Sequence, residues 1–141
     1  MPVTRTSLAD DAVVIVAAGI TVHEAIKAAD ELKGTIKVRV IDAYSVKPID
    51  AAALIDAVRV SEGRVCVVED HWPEGGLGDA VLAALAEAGV MHEVERFAHL
   101  AVHDMPGSGK PAELLDAAGI SARHIADTVR ELAGAGRDRH R

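Results

Sequence analysis

Short apolar runs alternate with stretches of helical periodicity along most of the chain. Apolar runs that predict strands cover residues 12–17, 36–42, 64–70 and 94–102. Apolar positions at helical spacing predict a helix between Thr21 and Gly34, and further helices over residues 51–61, 77–88, 111–118 and 121–133. Strands that alternate with helices of this length predict an α/β sandwich with a mostly parallel sheet.

Several helix boundaries carry capping signals. Thr21 is followed three residues later by Glu24, which is the capping-box pattern, so Thr21 is predicted to cap the first helix. Asp50 and Ser121 stand directly before two other helical segments and are predicted to cap them. Residues 64–70 are apolar over most of their length and are the best candidate for a central strand.

Composition and charge narrow the class of protein. The chain has 141 residues, of which 50% are hydrophobic, and a formal net charge of −7. We predict one globular domain over residues 1–133 and a flexible, glycine-rich basic tail over residues 134–141. The sequence pI near 5.4 and the lack of a basic stripe exclude nucleic acid and anionic membranes as partners. A single cysteine, Cys66, and the lack of an apolar secretory segment favour the cytoplasm.

Glycine-bearing turns raise the question of a phosphate site. Residues 17–19 (Ala-Ala-Gly) lack the G-x-G-x-x-G spacing of dinucleotide folds. Residues 104–110 end in Ser-Gly-Lys like an ATP-binding loop, but Pro111 stands where a magnesium-binding hydroxyl is needed. The candidate site that is left would hold a single anion, on Gly107, Ser108, Gly109 and Lys110. These residues also suit an ordinary turn before a helix that starts with proline.

The densest group of titratable side chains follows the predicted central strand. Glu69, Asp70 and His71 fall at the carboxyl edge of the sheet, where open α/β folds place their sites. They indicate acid–base chemistry or contact with another domain; alternatively, Asp70 or Glu74 orients the next helix and His71 bonds the loop. The histidines lack H-E-x-x-H spacing, and Cys66 has neither a cysteine partner nor a nearby base in the sequence. We therefore predict neither a metal site nor a catalytic nucleophile.

Four sequence segments, taken in order, carry a family resemblance. They are VVIVAAGITVHEAIKAADEL, VRVIDAYSVKPID, VVEDHWPEGGLGDAV and HLAVHDMPGSGKPAELLDAAGIS. Over residues 11–132 the chain resembles the C-terminal domain of transketolase. The first three segments are also similar to the matching domains of deoxyxylulose-phosphate synthase and of 2-oxo acid dehydrogenase β subunits. The fourth resembles the animal-type and split transketolases.

The resemblance implies a role in a larger thiamine-dependent assembly. Such an assembly transfers two-carbon ketol units between sugar phosphates in the pentose phosphate pathway, with thiamine diphosphate and a divalent metal. In the family, a Gly-Asp-Gly motif and a downstream Asn hold diphosphate and metal on the first domain, and a glutamate of the second domain activates the thiazolium carbon. Here Ala80 follows the one Gly-Asp pair, Gly78-Asp79, and the chain contains no Asn or Gln. We therefore expect this chain to bind neither cofactor and to carry no catalytic residue.

The family fold implied is a three-layer α/β/α sandwich around a five-stranded mixed sheet. Its antiparallel edge strand would come from residues 1–10. In the family this domain supports the pyrimidine-binding domain and contributes to subunit contacts, so the expected partners are the remaining transketolase domains or a separate subunit that carries them, together with a homodimer. The residues that we place at the interdomain contact are Glu69, Asp70, His71, Glu74, Gly75 and Gly76.

Three functions from different classes remain open at this point. The leading interpretation is a structural and assembly domain of a transketolase. The second is a free-standing regulatory module that senses an anion or a sugar phosphate through residues 107–110, and Lys110→Ala would abolish its binding. The third is an independent enzyme built on Glu69, Asp70 and His71, which would turn over substrate without a partner.

Overall fold

Strands and helices alternate in the computed structural model of the chain, which describes residues 3–5, 12–43, 50–103 and 109–138. In chain order the elements are β1 (Val3–Arg5), β2 (Val13–Ala17), α1 (Ile20–Glu31), β3 (Val38–Asp42), α2 (Ala51–Val60), β4 (Arg64–Val68), α3 (Leu77–Glu87), a 3₁₀ turn (Met91–Glu93), β5 (Arg96–Leu100), α4 (Pro111–Ala117) and α5 (Ala122–Asp138).

The strands form one sheet in the order β1-β3-β2-β4-β5. Strands β2 to β5 are parallel, and the three-residue β1 runs antiparallel to β3 at one edge. The prediction of a five-stranded mixed sheet, with its antiparallel strand taken from residues 1–10, is confirmed. β4 lies in the interior as predicted, between β2 and β5, while β2 is the middle strand.

Side chains that alternate along β2 divide the core between the two faces of the sheet. Val13, Ile15 and Ala17 pack with α1 and α5, whereas Val14 and Val16 pack with α2 and α3. This division follows from the two-residue period of a strand. All five residues of β2 are buried because helices cover both faces, which explains why this strand is apolar throughout. The three-layer α/β/α architecture is confirmed.

Helix α1 begins before its predicted cap. The N-cap residue is Gly19, whose φ of 63° lies in the left-handed region that glycine adopts without strain. Thr21 is therefore already inside the helix, and its buried Oγ1 lies 3.0 Å from the carbonyl oxygen of Val68 on β4. The capping-box prediction for Thr21 and Glu24 is wrong, because Gly19 holds the N-cap position and Thr21 lies within the helix.

Glu24 joins the first and last helices of the chain. Its buried carboxylate accepts hydrogen bonds from Lys27 Nζ at 3.0 Å and from the backbone N–H of Ala122 at 3.2 Å. Ala122 is the first residue of α5, so Glu24 supplies a negative charge to the N-terminus of that helix. The side chain of Ser121, which the sequence predicts as the cap, donates to Asp116 instead.

Two further helix boundaries bear on the sequence predictions. Asp50 caps α2 as predicted, since its carboxylate accepts from the backbone N–H of Ala53 at 3.0 Å. Helix α5 continues to Asp138, past the predicted end at residue 133, because each added residue extends an existing helix by one hydrogen bond. The domain boundary at residue 133 stays a prediction. Within the described ranges, none of the helices combines the length and the apolar character that crossing a bilayer requires.

Candidate functional site at the carboxyl edge of the sheet

The carboxyl ends of β2 and β4 form the switch point of the sheet. After β2 the chain enters α1 on one face, and after β4 it enters α3 on the other face. Open α/β sheets place their binding crevices at such a point. In this chain, the Thr21 side chain spans it: its Oγ1 accepts from the N–H of Ala18 and lies close to the Ala18 and Val68 carbonyl oxygens.

Glu69 is the most buried titratable residue that the sequence singles out at this edge. Its side chain is only 4% exposed. One carboxylate oxygen accepts from the backbone N–H of Leu77 at 2.9 Å, and the other accepts from that of Gly78 at 2.8 Å and from His99 Nε2. Leu77 and Gly78 open α3, so the carboxylate caps this helix and meets the positive end of its dipole. We call Glu69, Leu77, Gly78 and His99 the α3 clamp.

Two glycines leave the space that the α3 clamp occupies. A Cβ on Gly76 would lie 1.8 Å from Glu69 Oε1, and a Cβ on Gly78 would lie 2.4 Å from the His99 ring. Both distances are far below van der Waals contact, so side chains at these positions would displace the carboxylate or the imidazole. The glycines of this loop therefore serve the close approach of Glu69 to α3.

The remaining residues of the predicted contact lie on the surface loop between β4 and α3. Asp70, His71, Glu74 and Gly75 are all exposed. His71 Nδ1 donates to the carbonyl oxygen of Trp72 at 2.6 Å and lies 3.8 Å from Glu69 Oε1. Of the alternatives that the sequence left open, His71 thus bonds the loop, while Glu69 rather than Asp70 or Glu74 orients α3.

His99 belongs to this site although no sequence pattern placed it there. It lies on β5 two residues after Phe97, and the two rings meet edge to face with centroids 6.4 Å apart. Strand periodicity could have placed both side chains on the α3 face of the sheet. The pairing with Glu69 had no sequence signal, because the two residues are 30 positions apart.

The α3 clamp limits what Glu69 can do chemically. Both carboxylate oxygens are occupied by donors from α3 and His99. A general base must present a free oxygen within hydrogen-bond reach of a substrate proton. Glu69 is 4% exposed and already bonds the start of α3 and His99, so the arrangement supports a structural role for this carboxylate.

The predicted anion site is only partly within the described residues, because Gly107 and Ser108 lie outside them. Gly109 and Lys110 are exposed and precede α4, which has seven residues. The backbone N–H of Lys110 donates to Glu113 Oε2 at 3.2 Å. A carboxylate therefore already stands at this helix N-terminus, which opposes the approach of an external anion.

Neither Cys66 nor the described residues of metal-ligating type form a reactive centre. Cys66 is buried in β4, and burial raises the pKa of its thiol to about 12, so the nucleophilic thiolate is disfavoured. Among the described residues, His, Cys, Asp and Glu form no group of three that could hold a metal ion. Gly78 and Asp79, the one Gly-Asp pair, are engaged at α3, where Asp79 accepts from the N–H of Gly75. Within the described ranges, the contacts of this Gly-Asp pair therefore do not fit a diphosphate and metal site.

A second polar cluster joins α4 to α5. Asp116 accepts two hydrogen bonds from Arg123 at 3.0 Å and one from the Ser121 hydroxyl at 2.9 Å, and the hydroxyl is 2.9 Å from His124 Nδ1. In a catalytic triad the histidine lies between the acid and the serine. Here Ser121 lies between Asp116 and His124, so the order of a triad is absent from this cluster. Arg123 first, and then Ser121, hold the pKa of the Asp116 carboxyl below its usual range.

Asp116→Asn is expected to destabilise the protein near neutral pH by an amount that shrinks in acid. The folded pKa of Asp116 lies below the ordinary value of 3.8, so its contribution is present above pH 3.8 and is lost as the pH falls through the folded pKa. Urea unfolding of both proteins from pH 6 down to about pH 3 measures this. Arg123→Ala removes the main cause of the lowered pKa. The difference in unfolding free energy between this variant and wild type should therefore also shrink as the pH falls. If the difference in unfolding free energy between wild type and Asp116→Asn did not change with pH, the lowered pKa of Asp116 would be contradicted.

The fold and its carboxyl edge define a class of protein: a doubly wound α/β domain whose buried edge carboxylate holds a helix in place. The family model for the C-terminal domain of transketolase matches residues 4–125. Transketolase-like protein 1 of Bos taurus is 48% identical over 126 residues, which cover 87% of this chain and 20% of that protein. Human transketolase is 46% identical over 125 residues, covering 87% of this chain and 19% of that protein. The chain belongs to the transketolase C-terminal domain family.

Solved structures agree with this assignment. A solved structure described as a split-gene transketolase, an inactive beta4 tetramer of subunits, matches with a TM-score of 0.77 and 34% identity. The match covers 89% of this chain and 40% of that chain. Transketolase from Leishmania mexicana matches with a TM-score of 0.58 and 26% identity, over 89% of this chain and 17% of that chain. The chain spans about a fifth of the length of the curated relatives given above.

Proposed function

We propose that this chain is the structural and assembly domain of a thiamine diphosphate-dependent transketolase and does not itself hold the cofactor. The observation that carries the proposal is the α3 clamp, in which both oxygens of the buried carboxylate accept hydrogen bonds from the start of α3 and from His99 on β5. Family membership supports the transferase context. The assembled enzyme would transfer two-carbon ketol units between sugar phosphates, in the cytoplasm and as part of the pentose phosphate pathway.

The partners of this chain are the remaining transketolase domains or a separate subunit that carries them. The split-gene relative supports the second arrangement, because its name states that the enzyme is divided between genes. That relative is also described as an inactive beta4 tetramer. We extend this to the present chain: a homodimer would form without giving activity.

The chain alone is expected to give no saturable heat when thiamine diphosphate and Mg²⁺ are titrated into it by calorimetry. It lacks any Asn or Gln side chain, and the described acidic residues and histidines form no cluster of three ligands. The control is the same titration with a polypeptide that carries the two preceding transketolase domains of the same organism, alone and mixed with this chain. Saturable binding of the cofactor to the chain alone would contradict the proposal. The proposal would also fail if adding the chain did not change the rate of ketol transfer by the preceding domains.

A further inference from the structure

Three described segments at the carboxyl edge of the sheet carry charge of one sign. In the three described segments that follow β2, β4 and β5, namely residues 18–20, 69–76 and 101–103, the charged side chains are acidic or histidine. Asp70 and Glu74 are exposed there, and the exposed Asp79 borders the middle segment. Lys47, which follows β3 in the sequence, lies outside the described residues, and Lys110 is the first described lysine or arginine after the third segment. The loops at the opposite edge hold both signs, for example Lys37 and Glu62.

Two large apolar side chains are exposed among these acidic groups. Ile20 is 43% exposed at the start of α1, and Trp72 is 42% exposed in the loop after β4. The third large apolar residue that the described chain exposes is Met91, at 39%, which lies before β5 at the opposite edge. Exposed apolar residues ringed by polar groups mark interaction surfaces, and tryptophan is among the side chains that contribute most to such contacts.

The loop that carries Trp72 is fixed before any partner arrives. The backbone N–H of Val102 donates to the His71 carbonyl oxygen at 2.9 Å, and His71 Nδ1 donates to the carbonyl oxygen of Trp72. Glu69 anchors one end of the loop to α3, and Gly75 donates to Asp79 at the other end. A surface ordered in advance loses less conformational entropy on binding.

We propose that Ile20 and Trp72 are the apolar anchors by which this chain docks onto the remaining transketolase domains, and that the docking face of those domains is basic around an apolar pocket. This rests on the proposed function. Charge complementarity selects the occupant: a second copy docked by the same edge would place Asp70, Glu74 and Asp79 against their own counterparts, and like charges disfavour that pairing.

The test measures binding of this chain to a polypeptide that carries the two preceding transketolase domains of the same organism. Trp72→Ala and Ile20→Ala should each raise the dissociation constant about tenfold or more. Met91→Ala is the matched control, because it removes a similarly exposed side chain at the opposite edge, and it should change the constant less than about twofold. Raising the salt from about 50 to about 300 mM should weaken wild-type binding severalfold.

The outcomes separate this inference from the proposed function. If wild type binds and both edge variants bind equally well, or if salt has no effect, the inference is overturned while the assembly function stands. If wild type does not bind the preceding domains at all, the proposed function itself fails. Trp72 is the chain's only tryptophan, so a blue shift of its emission when the free chain is concentrated would show that a second copy covers this edge, and would also overturn the inference.

Discussion

Glu69→Ala is expected to lower the free energy of unfolding by about 3 to 5 kcal/mol, which is the usual cost of removing one partner from a buried, hydrogen-bonded charge network. The change would leave the N–H groups of Leu77 and Gly78 and the His99 ring without the carboxylate acceptor, which is itself only 4% exposed. It would also leave a cavity at the switch point of the sheet. Urea denaturation followed by circular dichroism measures the loss.

The control for this experiment is the neighbouring residue. Asp70→Ala removes an exposed carboxylate one position along the chain, and it should change the free energy of unfolding by no more than about 0.5 kcal/mol. Glu69→Gln is a second test of the clamp. Its side chain replaces one acceptor oxygen with an NH₂ donor, and that donor would face the N–H groups of α3 or the His99 ring. A Glu69→Ala protein as stable as Asp70→Ala would refute the structural role of the clamp.

Gly63→Ala is expected to destabilise the protein by about 3 kcal/mol or more, since it adds a steric clash to an unfavourable backbone conformation. Gly63 has φ +79°, and a Cβ there would lie 2.1 Å from the carbonyl oxygen of Glu93 and 2.6 Å from the backbone nitrogen of Glu95. Those neighbours are backbone atoms and cannot rotate away. The Gly63 carbonyl oxygen also accepts from the N–H groups of Glu95 and Arg96, so relieving the clash would disturb the start of β5.

Gly89→Ala separates the two causes. Gly89 has a similar φ of +72°, but nothing lies within 4 Å of the added Cβ. Its substitution should therefore cost only the conformational part, about 1 to 2 kcal/mol. Thermal unfolding of both variants gives the comparison. Equal losses at the two positions would mean that the backbone near Gly63 moves aside and that the contact with residues 93–95 carries no energetic weight.

The sequence was sufficient where a local pattern is also satisfied locally in the fold. The apolar run of β2, the carboxylate of Asp50 three residues before Ala53, and the apolar faces of α2 and α3 depend on neighbours within one or two turns of the chain. β1 was different: three residues give little strand signal, and its place at the antiparallel edge came from the family resemblance. Local periodicity alone would have produced a four-stranded parallel sheet.

The polar residues of the site were predicted less well, because their partners lie far away in the sequence. Thr21 and Glu24 have the spacing of a capping box, but they bond Val68 and Ala122, which are 47 and 98 residues distant. Burial decides this outcome, since a polar side chain covered by packed helices bonds whichever donor or acceptor the tertiary structure places beside it. The position of Glu69 after the predicted central strand marked it as a site residue. Its role in holding α3 could not be predicted without knowing where α3 begins in space.

Helix α5, which covers one face of the sheet and follows all five strands in the sequence, affects the order in which the domain can fold during synthesis. The face of the sheet covered by α2 and α3 has all its described core residues once the ribosome has made residue 97. The opposite face needs Ile125, Val129 and Leu132 from α5. Until this last helix emerges, the apolar side chains of α1 and of one face of β2 stay open to water. Between the synthesis of residue 97 and the emergence of α5, one face of the domain therefore stays open, and chaperones that bind apolar segments would meet that face.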